Sequence, residues 1–147
     1  MADVKPPAIV ELTWDSGLSF TARDATHAWV LDGRNQAGPS PPIALVSALA
    51  GCMSIDVVDI LTKGRHAVRA LSTRVVGHRA EQDPRRLVRV EMRFVIDTDA
   101  TAEHIQRAID LSRDKYCSVW HSMRQDIELT ATIITPGVFV PAQTLPE

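Results

Sequence analysis

Residues 39–61, PSPPIALVSALAGCMSIDVVDIL, decide how this chain folds. No charge interrupts the sequence from Asn35 to Ile55, and the first anions, Asp56 and Asp59, arrive only where its apolar character ends. Ser40 can cap a helix whose first turn tolerates Pro41 and Pro42, because proline's missing N–H is not needed there. Gly64, just past Lys63, is a stop with a cation in the last turn. The pattern predicts a helix from Pro41 to Thr62, about 30 Å long at 1.5 Å per residue. With prolines at its front, the remaining apolar run is shorter than the ~18 residues of a membrane span, so the expectation is a core helix. A helix that is apolar around its whole circumference has to be buried all round. A protomer of 147 residues has difficulty enclosing it, whereas a dimer does so easily.

On the N-terminal side, residues 8–14 and 18–31 read as strands, with Trp14, Phe20, Trp29, Val30 and Leu31 as β-type residues. Asp15-Ser16-Gly17 and Asp32-Gly33 are turn signals. On the C-terminal side, residues 68–80 and 87–96 predict an antiparallel hairpin around AEQDPRR. Its arginines (Arg69, Arg74, Arg79, Arg85, Arg86, Arg89, Arg93) read as a solvated strand face. Thr101 starts a second helix, where Ile105, Ala108, Ile109 and Ser112 follow i, i+3, i+4, i+7 and mark one buried face. A short third helix holds Cys117 to Met123. Residues 126–135 close as a strand with Ile127, Leu129, Ala131 and Ile133 in alternation, and prolines and Gly137 mark a loose tail from 136 to 147. The whole is one domain, 1–147, with its core at about 8–135, of mixed α/β (α+β) class. A net charge of −2 excludes an overall basic field for nucleic acid. The N-terminus has no apolar segment behind a basic one, and no membrane span is read elsewhere, so the expected location is the cytoplasm, where thiols stay reduced.

Chemistry is written in two places. Cys52 and Cys117 are the only cysteines, each in a helix-like setting and far apart in sequence. Free cysteine often serves as a small buried hydrophobe, so the residues alone leave open both a structural role and a dithiol pair formed by folding. Cys117 and His121 are four apart and able to face one another. With Cys52 they give three soft ligands, one short of the usual structural zinc site, and no metal or other cofactor is expected. Trp120, Tyr116 and Met123 read as core packing or as the lining of an apolar pocket. Asp56 and Asp59 share a helix face and read as a solvated pair or as caps for a partner chain. Phosphate-loop, dinucleotide and Ser/His/Asp patterns do not occur.

The segment PSPPIALVSALAGCMSIDVVDIL, the hairpin after it, and LSRDKYCSVWHSM at 111–123 together resemble the OsmC/Ohr family, the osmotically inducible and organic-hydroperoxide-resistance group. The resemblance covers roughly Pro39 to Ile134. It implies curved antiparallel sheets packed on a long buried central helix, in an interlocked homodimer with active sites at the subunit boundary. It also implies thiol-dependent reduction of a small organic hydroperoxide, with Cys52 in the peroxidatic position, Cys117 in the resolving position and an external dithiol as reductant. The chain departs from the peroxidatic pattern at the helix start, where Pro41, Pro42 and Ile43 leave no carboxylate. Asp56, one turn beyond Cys52, is an anion that disfavours a thiolate nearby. A working peroxidase then needs positive charge at Cys52. Arg34, in the loop leading into the helix, is the candidate, and Arg23 is second. The alternative is a non-peroxidatic dimer of the same fold, a thiol redox sensor or small-molecule binder, in the less characterised OsmC-like branch.

Overall fold

Gly17 turns the chain with φ 56°, and the strands on either side of it pair as an antiparallel hairpin. The computed structural model describes residues 3–134. The hairpin strands are β1 (Glu11–Ser16) and β2 (Ser19–Arg23), and β3 (Ala28–Asp32) adds antiparallel to β2. The expected long strand at 18–31 is therefore two strands. Asp24 breaks it, because its carboxylate accepts the backbone N–H groups of Thr26 (2.8 Å) and His27 (2.6 Å) and folds the chain back. Residues 8–10 lie outside β1. Past β3, buried Asp32 organises the loop by accepting N–H groups from Arg34 (2.9 Å), Gln36 (3.2 Å) and Ala37 (2.9 Å). The Ala37 and Arg34 N–H groups hold its carboxyl below the usual range.

The long helix α1 spans Pro41–Lys63, and the Ser40 carbonyl accepts its first bond, from the Ala44 N–H at 2.9 Å. Its end differs from the expectation. The His66 N–H reaches the Leu61 carbonyl and the Arg65 N–H reaches the Thr62 carbonyl, both at 2.9 Å, which is a Schellman ending. The residue in the left-handed region is Arg65 (φ 65°), one place after Gly64. The chain divides into two compact units inside α1, one up to Leu45 and one from Val46.

In the second unit, β4 (Val68–Arg79) and β5 (Leu87–Thr98) pair antiparallel, as expected. The strand β6 (Glu128–Ile133) then joins β5 in parallel, so this sheet is mixed rather than all antiparallel. Parallel neighbours need a long crossover. Here it consists of α2 (Ala102–Leu111), a π-helical turn at Ser112–Tyr116, and α3 (Ser118–His121). Thr101 caps α2 by accepting the His104 N–H. Several of the strand arginines stand in exposed ion pairs, Arg69 with Asp97 at 2.7 Å and Arg86 with Asp126 at 3.5 Å, as the solvated-face reading expects. The expected tail at 136–147 lies outside the described residues.

Only one stripe of α1 is buried in its own chain: Leu49, Ala50, Met53, Val57 and Leu61, at helical spacing. That stripe packs with Val90, Met92 and Phe94 of β5 and with Ile105 and Ile109 of α2. Contact with the sheet is close, since a Cβ on Gly77 of β4 would sit 2.9 Å from both Val46 and Leu87. Elsewhere on the helix Ile55 is 70% exposed and Val58 is 37% exposed. The all-round apolar helix is thus half covered by its own protomer. By length and composition α1 also qualifies as a membrane span, contrary to the length argument above, but its packed stripe is that of a core helix. Phe94 is fully buried at the centre of the cluster, so Phe94→Ala is expected to cost about 3–5 kcal/mol in a denaturant titration.

Candidate active site

Cys52 and Asp56 are four residues apart on α1 and so share a face. They flank Met53 and Val57, both fully buried, and this fixes their height along the helix. The other half of the site is built by the end of α2. There the helix widens into the π-helical turn, the Cys117 N–H donates to the Ser112 carbonyl at 2.8 Å, and Cys117 becomes the residue that caps α3. Its sulfur accepts the Trp120 N–H at 3.3 Å. Two cysteines 65 positions apart are thereby brought together: the two sulfurs and a carboxylate oxygen of Asp56 all lie within 4.8 Å of one another. Both thiols are free, Cys117 wholly buried and Cys52 half-buried.

Two serines complete the arrangement. The Ser112 hydroxyl, also wholly buried, donates to Asp56 Oδ2 at 2.7 Å. The Ser118 hydroxyl lies 3.9 Å from the Cys52 sulfur. The sequence reading placed Ser112 on the buried face of α2 without giving it a partner. A lone hydroxyl at an apolar-face position was the available signal, since a buried hydroxyl needs an acceptor.

The expected site residues fare differently. Cys52 and Cys117 converge. His121 is exposed on α3, and the third donor beside the sulfurs is Asp56 in its place. Asp56 and Asp59 do not act as a pair: Asp59 is exposed and held by Lys63 at 2.6 Å. Trp120 is a buried core residue, Met123 packs partly against the core, and Tyr116 is half exposed. Arg34 and Arg23, in the first unit, are both exposed. The first turn of α1 carries no acid. Two thiols and one carboxylate remain one donor short of a closed structural zinc site. The two sulfurs lie within 4.8 Å of one another, and both are free thiols.

Burial first, then Cys52 and Asp56, push the Cys117 thiol up to about 11 against the opposing Trp120 N–H. This thiol keeps its proton at neutral pH.

An α+β protein with two neighbouring free thiols, one buried and one half-buried, between a core helix and a crossover turn is the class that this geometry defines. Residues 33–132 match the family model described as OsmC-like protein. Protein YhfA of Escherichia coli K12 is 34% identical over 120 residues, which cover 80% of this chain and 90% of the relative. The chain belongs to the OsmC-like protein family. Two solved structures share the fold. The OsmC-like protein from Mycoplasma pneumoniae superposes with a TM-score of 0.75 at 18% identity, over 89% of this chain and 96% of its own. The organic hydroperoxide resistance protein OsmC from Legionella pneumophila does so with a TM-score of 0.68 at 9% identity, over 89% and 98%.

The raised Cys117 value has a consequence for stability. A thiol raised from near 9 in the unfolded chain to about 11 when folded contributes fully below pH 9, and the contribution is lost as pH rises through 11. Unfolding free energy is expected to fall as pH rises from 9 to 11. Cys117→Ala should remove that part of the slope, as read from urea titrations across the range.

Proposed function

We propose that this chain is a thiol-dependent peroxidase that reduces organic hydroperoxides, in oxidative-stress defence in the cytoplasm. The convergence of Cys52 and Cys117 to within 4.8 Å carries the reading. Cys52, the more accessible sulfur, attacks the peroxide as a thiolate. The O–O bond breaks, Cys52 becomes a sulfenic acid, and the alkoxide takes a proton to leave as an alcohol. The Cys117 thiol then condenses with the sulfenic acid, giving a Cys52–Cys117 disulfide and water. An external dithiol restores both thiols by exchange. A Cys52 thiolate needs positive charge, for which Arg34 and then Arg23 remain the candidates. No metal or flavin takes part.

The two units act as one functional domain, and two chains form a homodimer. Support comes from α1, whose Ile55 and Val58 stay exposed and apolar on a helix that favours burial all round. A second reading, a redox sensor or small-molecule binder without turnover, is favoured by one observation, the absence of an acid in the first turn of α1.

With one equivalent of cumene hydroperoxide, mass spectrometry is expected to find loss of two hydrogens and a Cys52–Cys117 link. Cys117→Ser should stop at a sulfenic acid on Cys52. In Arg34→Ala, formation of that sulfenic acid should slow tenfold or more. A Cys52 that stays reduced in wild type sinks the peroxidase. Oxidation without repeated turnover, given excess dithiol, selects the sensor. Light scattering at micromolar concentration is expected to give twice the protomer mass, and a stable folded monomer would overturn the dimer.

A further inference from the structure

Asp56 is the one carboxylate, among the described residues, grouped with both sulfurs, and the peroxide chemistry above gives it no task. For the first step it is a hindrance, an anion beside the sulfur that has to become one. Yet the fold holds it there deliberately. Ser112, wholly buried, donates its hydroxyl to Asp56 Oδ2 at 2.7 Å while its carbonyl takes the Cys117 N–H at 2.8 Å. One residue therefore aims the carboxylate and fixes the backbone of Cys117. It does so from a π-helical turn, a local widening that recurs at functional sites.

The second step has the opposite need. When Cys117–SH meets Cys52–SOH, the S–O bond breaks and the S–S bond forms. A proton leaves Cys117 sulfur, and the departing hydroxide takes one up to become water. Cys117 does not supply its thiolate readily at neutral pH, because burial pushes its thiol well above the ordinary value. A single base beside both sulfurs can take the proton from one and hand it to the oxygen on the other, directly or through one water.

We propose that Asp56 is this proton relay, the acid–base group of disulfide formation, with Ser112 as its positioning residue. The inference rests on the peroxidase reading. The titratable groups acting on Cys117 are Cys52 and Asp56, both from α1. Nearby charges are already paired, Asp59 with Lys63 at 2.6 Å on α1 and Asp114 with Arg113 at 2.7 Å on the turn.

The test separates the two steps after mixing with one equivalent of cumene hydroperoxide, following sulfenic acid by dimedone trapping and disulfide by mass. In Asp56→Asn the first step is expected to be unchanged or faster. The second should slow about a hundredfold or more and rise more steeply with pH than in wild type. Asp56→Glu should recover much of the second step, and Ser112→Ala should fall between. Wild type should show a solvent deuterium isotope effect on the second step alone, a measurement that does not depend on any variant folding. Disulfide formation at the wild-type rate in Asp56→Asn, both steps slowing together, or no isotope effect overturns the relay while leaving the peroxidase standing. A wild-type Cys52 that never becomes a sulfenic acid overturns both.

Discussion

The site depends on how one stripe of one helix is packed. Leu49, Met53, Val57 and Leu61 of α1 are locked against β5 and α2, and each is essentially without solvent contact. Cys52 immediately precedes Met53, and Asp56 immediately precedes Val57. Whatever fixes the stripe fixes the sulfur and the carboxylate, to the precision of a close-packed core. The opposing Cys117 is set by the same core from the other side, through Ile105, Ala108 and Ile109 of α2 and through Trp120. The dithiol is thus held by burial from both partners.

Burial also sets the chemistry apart between the two sulfurs. Cys117 is wholly enclosed, and burial pushes its thiol up, whereas Cys52 is half-buried. A carboxylate between them makes the pair asymmetric in a second sense, since an anion obstructs one step of a thiol cycle and assists the next. In this chain the first turn of α1 carries no acid, and the acid grouped with the two sulfurs is Asp56, one turn beyond Cys52.

Much of this was legible in the sequence. The uncharged run through Cys52 gave α1 almost to the residue, and the alternation at 87–96 gave β5 and its hairpin partner. Three features were not legible, each for a local reason. Asp24 ends a strand through hydrogen bonds from its side chain, which β-propensity does not weigh. The parallel placement of β6 follows from the path of the crossover, and an alternating strand reads alike in either direction. The grouping of Asp56 with the sulfurs was hidden because Asp59, three residues on, made the two look like a solvated pair. Only the folded chain sends Asp59 to Lys63 and Asp56 to Ser112. The apolar circumference of α1 suggested burial all round, whereas the single chain buries one stripe and leaves Ile55 and Val58 exposed.

The central claim is that Cys52 and Cys117 are a redox pair within one chain. A crystal structure of the protein after treatment with one equivalent of hydroperoxide tests it most directly. The account predicts a bond of about 2.05 Å between these two sulfurs in the same protomer, with the Leu49–Met53–Val57–Leu61 stripe still buried. Two reduced sulfurs left unbonded in oxidised crystals, or a disulfide joining Cys52 of two protomers, would contradict it.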